Sequence, residues 1–335
     1  MSRPIYLTIS LALFALPAGA AEPPCVSRCH EMATKGQLRS GVNEAGCVTN
    51  VCQEDGRRFY KSGEFDQALA SLAVLSERLE RSPSYRLDRG LVYYALGRFD
   101  DALVDIDASL KYLPGVFLAS AQRGHTLMRL RRFDDARAQF EKLLESPAAK
   151  REFRGLRTRS YLLGNVGVID VLRGDTEKGK GELQEALKID GRNTQASTYI
   201  YRVLPQLSSG TIDRDGVFAF YAATEDVGLG DRKRAEPEIA AVVAKYPEFA
   251  ESYFLQAEIL RNWLRYEDCE RVLAAGERAI PADIDLKAER LRCTLLKLGP
   301  TSAPAKPAVA ELKGLNQTNP DNVLVKEILH ALDLY

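Results

Sequence analysis

Glycine, phenylalanine and alanine recur along the first half of the chain at an interval of 34 residues. The residues in step are Gly56, Gly90, Gly124, Phe65, Phe99, Phe133, Ala68, Ala102 and Ala136. A helix pair of this length cannot bury its apolar face alone, so copies have to stack until neighbouring faces share one core. The interval therefore predicts an all-α fold, an α-solenoid of stacked helix-turn-helix repeats.

The second copy shows what each recurring position does in such a repeat. Gly90 allows two helices to approach closely where they cross, Phe99 fills the space between them, and Gly97 permits a tight turn. Pro114 ends the second helix because proline cannot continue it. With Tyr93, Ala102 and Leu110, these positions resemble the tetratricopeptide repeat family, which has this period.

The resemblance implies a binding scaffold with a concave groove lined by the first helix of each pair. In this sequence the groove positions hold Tyr60, Leu87, Leu91, Tyr94, His125, Met128, Arg129 and Tyr161. We expect them to bind an extended or helical apolar peptide, with His125 and Arg129 as polar anchors. The alternative is that these side chains pack on an internal helix. Family members that grip a C-terminal carboxylate use Lys and Asn where this chain has Gln53, Arg57, Leu87 and Leu91, which argues against that activity.

Breaks in the repeat register predict the domain organisation. We expect a cysteine-rich cap over 21–52, a first lobe over 53–193, an irregular hinge over 194–212 and a second lobe over 213–335. Pro205 and the turn-like Ser208-Ser209-Gly210 favour the hinge. An insertion around Ser146–Leu156 displaces the fourth copy, and the helix Asn322–Leu334 is expected to cap the array.

The first twenty residues have the form of a secretory signal. An apolar run from Ile5 to Leu16 is too short to span a membrane, and small residues follow it up to Ala20. No later stretch is long and apolar enough for a membrane helix. We therefore expect a periplasmic or secreted protein; in a eukaryotic secretory lumen, Asn316 would be a glycosylation acceptor.

Four cysteines near the N-terminus are spaced as two pairs. On two antiparallel helices they would form the nested bonds Cys25–Cys52 and Cys29–Cys47. Two alternatives are covalent haem, because Cys29 is followed by His, and a four-cysteine zinc site.

Two further cysteines, Cys269 and Cys293, lie on adjacent predicted helices. They either form a third disulfide bond or remain small core residues.

Charge is local rather than global, because the formal net charge is zero. This balance argues against a nucleic-acid partner. A basic patch comprises Lys150, Arg151, Arg154, Arg157 and Arg159; it is either a solvated helix start or a contact for an anionic surface or acidic partner.

No catalytic constellation and no cofactor motif is evident. Gly174–Lys180 resembles a phosphate-binding loop, but Gly181 replaces the required Ser or Thr, so a repeat turn is predicted. The sequence therefore predicts an exported, non-enzymatic scaffold for a protein or peptide partner. A redox-active or haem- or metal-carrying envelope protein is the alternative.

Overall fold

A computed structural model of the protein describes residues 23–150 and 154–334. The predicted signal segment and Arg151 of the basic patch lie outside these residues. All regular elements within the described ranges are helical, which confirms the predicted all-α class. The chain forms two compact units, 1–122 and 123–335.

The first unit consists of helices joined by short turns, and consecutive helices pack as α2 with α3 and α4 with α5. Their bounds are α1 Pro24–Thr34, α2 Glu44–Lys61, α3 Phe65–Ala73, α4 Pro83–Ala95 and α5 Phe99–Tyr112. Helix α6, Phe117–Arg129, includes the position at which the two units divide. Helix α1 precedes the repeated pairs and packs on α2.

Two disulfide bonds join α1 to α2. The structure has the nested pairing, Cys25 with Cys52 and Cys29 with Cys47. Cys25 and Cys52 belong to a core cluster that also contains Leu72 of α3. The extra N-terminal helix is therefore fastened covalently to the first repeated pair, as the cap hypothesis requires.

The second unit continues with helix pairs, of which α9 with α10, α13 with α14, α15 with α16 and α17 with α18 pack against each other. The bounds are α7 Phe133–Leu144, α8 Pro147–Lys150, α9 Arg154–Arg173, α10 Thr176–Ile189, α11 Thr194–Thr198, α12 Leu204–Ser208, α13 Arg214–Gly228, α14 Arg232–Lys245, α15 Ala250–Asn262, α16 Tyr266–Ala279, α17 Ile284–Leu298, α18 Lys306–Thr318 and α19 Val323–Ala331. A π-helical turn, Tyr199–Val203, joins α11 to α12. The insertion around Ser146–Leu156 forms α8 and the start of the long helix α9.

A disulfide bond also joins α16 to α17, between Cys269 and Cys293. Both cysteines lie in the core of the second unit, packed with Leu273 and Leu286. All six cysteines are thus disulfide-bonded, and no free cysteine occurs in the described residues. The haem and zinc alternatives for the N-terminal cysteines are therefore not favoured.

The repeat register appears in the packing as a glycine that faces a large side chain sixteen positions later. A Cβ atom on any of these glycines would come within 2.6 to 2.9 Å of that side chain. The pairs are Gly56 with Leu72, Gly90 with Ile106, Gly124 with Phe140 and Gly167 with Leu183. The fourth pair shows that the displaced fourth copy packs like the others.

The structure differs from the sequence prediction at 194–212. This segment was expected to be an irregular hinge between lobes, but it is helical from Thr194 to Ser208 and packs on α10. Pro205 is accommodated by a wider turn: the Leu204 N–H bonds to the Tyr199 carbonyl, five residues earlier. The segment therefore stays helical across Pro205, and the compact units divide between Gln122 and Arg123.

A cluster of charges joins α7, α9 and α10. Fully buried Asp170 accepts hydrogen bonds from Arg137 Nε at 2.8 Å and from Arg173 Nη1 at 3.0 Å. Glu182 accepts a bond from Arg137 Nη2 at 3.2 Å, while the oxygens Glu182 Oε2 and Asp170 Oδ2 are buried without a hydrogen-bond partner. Burial, and then the charge of Asp170, raise the pKa of Glu182 to about 7. Lys178 Nζ lies 3.5 Å from Asp170 Oδ2, and a proton on Glu182 would let one of the two carboxyl groups donate to the other.

The crossing of α9 and α10 generates the first prediction, with Gly179→Ala and Gly181→Ala as a matched pair. A Cβ atom at Gly179 would lie 2.5 Å from the Gly167 carbonyl oxygen, whereas one at Gly181 meets nothing within 4 Å. Gly179→Ala should lower the free energy of unfolding by about 1–3 kcal/mol through overpacking. Gly181→Ala should raise it by up to about 1 kcal/mol through helix propensity. Urea unfolding measures both, and equal effects would contradict the close crossing.

The raised pKa of Glu182 generates a prediction about pH. Folding raises the pKa of the Glu182 carboxyl group to about 7. Its contribution to stability is therefore complete below the pKa of the unfolded state and is lost as the pH rises towards about 7. Glu182→Gln keeps a donor at every pH, so its free energy of unfolding should fall less between pH 5 and pH 8 than that of the wild type, by about 1–3 kcal/mol. Glu185→Gln, on an exposed glutamate of the same helix, should follow the wild-type curve. Parallel curves for wild type and Glu182→Gln would refute the shared proton.

Candidate functional site

The second unit contains a cavity of about 390 Å³. Its walls come from the α11–α12 segment with its π turn and from α13, α15, α17 and α19. Ligand pockets in proteins usually have volumes of about 300–1,000 Å³. The cavity is therefore large enough for one long side chain of a partner and the backbone that carries it.

One wall of the cavity is aromatic. It is formed by Tyr199, Phe220, Tyr221 and Phe254. Tyr199, Phe220 and Tyr221 are each at most 5% exposed, and the Phe220 ring packs edge-on against Phe249 at 5.3 Å between centroids. This packing fixes the rings, so the wall is preformed.

Both arginines that line the cavity are already ion-paired. Arg202 donates to Glu251 at 2.9 Å and to Asp285 at 3.1 Å. Arg261 donates to Glu289 at 2.8 Å. Burial raises the pKa of Glu251 although Arg202 opposes the change. These pairs hold α15 and α17 together and leave little positive charge for a ligand.

Two glutamates of the lining differ from those in the ion pairs. Glu258 is exposed and forms no ion pair with any described residue. Glu225 lies 3.3 Å from His125 Nδ1 and retains 26% side-chain exposure. Burial opposes ionisation of Glu225, but His125 and Arg129 together lower its pKa. With four glutamates and two arginines, the lining has a net negative charge.

The π turn positions two residues of the cavity. Tyr199 begins the turn and Arg202 lies within it, so the wider turn at Pro205 sets where both side chains enter the lining. The Tyr199 hydroxyl is buried without a hydrogen-bond partner. Burial, followed by the charge of Glu225, raises the pKa of this hydroxyl, so it remains protonated. Such π turns are frequent at functional sites.

Helix α13, which contributes Phe220, Tyr221, Thr224 and Glu225 to the cavity, is anchored by a buried carboxylate. Asp226 is fully buried and accepts a bond from Arg129 Nη1 at 2.8 Å and one from Arg234 Nε at 2.7 Å. Arg129 also donates to the Ala222 carbonyl at 3.0 Å. Two guanidinium groups thus neutralise a charge that could not be buried alone.

The same contact corrects the predicted groove at three positions. His125, Met128 and Arg129 were expected to face a partner, but α13 covers them. The Tyr221 hydroxyl donates to the Met128 sulfur at 3.4 Å and lies 3.2 Å from His125 Nδ1, while His125 Nε2 contacts the Tyr161 hydroxyl. The side chains are internal because a helix nearly a hundred residues later fills the face that an isolated repeat would leave open.

The remaining groove positions fall into two groups. Tyr94 is a core residue rather than a groove residue, with 2% exposure and its ring packed edge-on against Phe99 at 5.3 Å. Tyr60, Leu87 and Leu91 are half-buried, and Tyr161 is 39% exposed. A partner-binding role for these four stays a prediction.

The positions that family members use to grip a carboxylate have an internal role here. Gln53 Nε2 and Arg57 Nε both donate to Asp88 Oδ2, at 3.0 and 2.7 Å. These contacts link α2 to α4 within the first unit. The donors are therefore already bound to a carboxylate of the protein itself.

The described part of the basic patch is partly paired. Lys150 forms an ion pair with Glu145 at 2.7 Å, and Arg157 lies 3.9 Å from Asp190. Arg159 is exposed. The structure shows helix-surface charges at these positions, and the anionic contact stays a prediction. Among the described residues no cluster of His, Cys, Asp and Glu could hold a metal ion.

The cavity could not be predicted from the repeat register, because the register is lost where the cavity wall begins. Pro205 was interpreted as a break, so Tyr199 and Arg202 were assigned to a hinge rather than to a first helix. A signal was nevertheless present in Glu251 and Glu258, two acidic residues seven positions apart on the helix α15. A seven-residue spacing places both on one helix face.

Comparison with known proteins relates part of the chain to a family. A family model described as tetratricopeptide repeat matches residues 55–111, which cover the C-terminal part of α2, all of α3 and α4, and α5 up to its penultimate residue. Curated proteins give no match to this sequence. The match supports the resemblance inferred from the spacing and applies to the first unit.

Solved structures with a related architecture include several tetratricopeptide repeat proteins. One from Parabacteroides merdae is 12% identical, with a TM-score of 0.40 over 85% of this chain and 99% of that one. A thermophilic protein of Thermus thermophilus is 22% identical, with a TM-score of 0.30 over 64% and 100%. The TPR2AB domain of yeast Sti1, in a pHSP90 complex, is 13% identical, with a TM-score of 0.31 over 87% and 98%. Likenesses of this size transfer no ligand to the present chain.

The anchor of α13 generates a prediction with a matched control on the same helix. Asp226→Asn removes the fully buried carboxylate that Arg129 and Arg234 share and leaves them only longer contacts, with Glu238 and Asp231 at 3.6 Å, so it should lower the free energy of unfolding by about 3 kcal/mol. Asp215→Asn removes an exposed ion pair with Arg131, since the Asp215 side chain is 70% exposed. It should lower the free energy of unfolding by less than about 1 kcal/mol. Urea unfolding followed by circular dichroism compares the two. Equal losses would show that Asp226 does not anchor the helix.

Proposed function

We propose that this protein is an exported, non-enzymatic interaction scaffold that binds a peptide or protein partner in the cavity of its second unit. The cavity supports this assignment because its lining combines a preformed aromatic wall with many polar and charged side chains. Stacked helical repeats generally present binding surfaces of this kind. The proposed site lies between the α11–α12 segment and α19, and none of the groove positions predicted from the sequence lines it.

The chemistry of the lining supports binding rather than catalysis. Its two arginines, Arg202 and Arg261, are already ion-paired with Glu251 and Glu289. The Thr224 hydroxyl donates to the Phe220 carbonyl at 2.8 Å and has no base beside it in the described contacts. A nucleophile activated by a neighbouring base, which covalent catalysis needs, is not assembled among the described lining residues.

The proposed location outside the cytosol is supported by the cysteines and by the predicted signal segment. Three disulfide bonds persist most readily in an oxidising compartment such as the periplasm or a secretory lumen. Within the described residues, no helix is both long and apolar enough to cross a membrane. The signal segment at 1–20 is a prediction from the sequence.

The proposal predicts that filling the cavity abolishes peptide binding. Dodecapeptides would be selected from a random phage-displayed library on the immobilised full-length mature protein and measured by fluorescence polarisation. Thr224→Trp places a large ring at an exposed position of the cavity lining and should weaken the selected peptides at least about tenfold, because the indole occupies their volume.

Thr318→Trp is the matched control. Thr318 is likewise exposed, and its hydroxyl donates to the carbonyl four residues earlier at 3.0 Å, as that of Thr224 does. It lies outside the cavity lining, so peptide affinity should stay at the wild-type value. Selected peptides that bind both variants equally well would refute the cavity as the binding site.

A further inference from the structure

We infer that the cavity recognises a cationic group of its partner, the side chain of a lysine or arginine, and that it does so through Glu258, Glu225 and the aromatic wall. This inference rests on the proposed function and specifies the ligand chemistry of the same site. It is carried by the charge complementarity of the lining, above all the unpaired Glu258, and by its aromatic surface.

The charge balance of the lining excludes an anionic ligand and favours a cationic one. Each arginine of the lining is already paired with a carboxylate, and Arg202 is paired with two, Glu251 and Asp285. Glu258 has no ion-pair partner among the described residues. Glu225 contacts only His125, and the Arg129 guanidinium acts on it from farther away. An ammonium or guanidinium group of a ligand would form ion pairs with these two carboxylates.

Tyr199 adds a polar group to the aromatic wall. The residue is 4% exposed and lines the cavity, and its hydroxyl oxygen is buried without a hydrogen-bond partner. The charge of Glu225 reaches this hydroxyl and adds to the rise in its pKa. The negative charge of the lining therefore acts on the aromatic wall as well, which favours a cation beside it.

The aromatic wall can contact both the methylene stem of a lysine or arginine side chain and its charged end. Tyr221, Phe220 and Phe254 present ring surface in the same cavity. Lysine and arginine bury their methylene stems on apolar surface while the charged end remains polar. Cations are also attracted to aromatic faces. The protein already places Arg202 over the Phe254 ring at 5.6 Å, which shows that this ring accommodates a guanidinium.

The experiment uses the dodecapeptides whose binding Thr224→Trp abolishes. We expect lysine or arginine to be enriched in them, and we expect replacement of the basic residue by norleucine to weaken binding at least about tenfold. Glu258→Gln should weaken binding about three- to tenfold and reduce its dependence on salt, as expected for a lost charge contact. Acetylation of the peptide N-terminus distinguishes a side-chain cation from an α-amino group.

Glu248→Gln is the matched control, because Glu248 is an exposed glutamate of the same unit outside the lining. Its peptide affinity should equal that of the wild type. Peptides that depend on the cavity but lack basic residues, or that ignore Glu258→Gln, would overturn the inference and leave the proposed function standing. Affinity that depends on the free α-amino group alone would also overturn it. If no selected peptide depends on the cavity, the proposed function fails together with the inference.

Discussion

The fold depends on close helix crossings, because no single helix pair of this protein can bury its own apolar face. At four of the crossings a glycine removes the side chain that would keep the helices apart, and a leucine, isoleucine or phenylalanine from the partner helix fills the space. At Gly179 the obstacle is backbone: the Gly167 carbonyl oxygen of the crossing helix lies 2.5 Å from where a methyl group would stand. The core is therefore continuous from pair to pair within each unit, and the turns between pairs can vary without disturbing it.

This packing buries some charged side chains away from water. In the second unit, guanidinium groups offset the desolvation of buried carboxylates. Asp226 and Asp170 are both fully buried, and each accepts hydrogen bonds from two arginines of other turns or helices. The pairs contribute specificity of placement more than net stability, since a buried ion pair only partly recovers its desolvation cost. In the case of Asp226, the placement of α13 brings four cavity residues into position.

A widened helical turn connects this placement to function. Proline cannot donate a hydrogen bond, so the turn before Pro205 widens to a π turn, and the segment stays helical from Thr194 to Ser208. The widened turn carries Tyr199 and Arg202 into the cavity. The aromatic wall, the paired arginines and the two available glutamates are then contributed by helices that lie far apart in the sequence. Together they form a surface suited to a positively charged side chain.

The sequence by itself determined the local and periodic features of this protein. The interval of 34 residues established the helix pairs, their crossing glycines and the register of the displaced fourth copy, because each depends on residues close along the chain. The spacing of Cys25, Cys29, Cys47 and Cys52 indicated the nested bonds for the same reason. Only the tertiary structure decided which inner faces remain open. Long-range contacts that no periodicity encodes, above all those of α13 with His125 and Arg129, closed the predicted groove there and located the cavity among later helices.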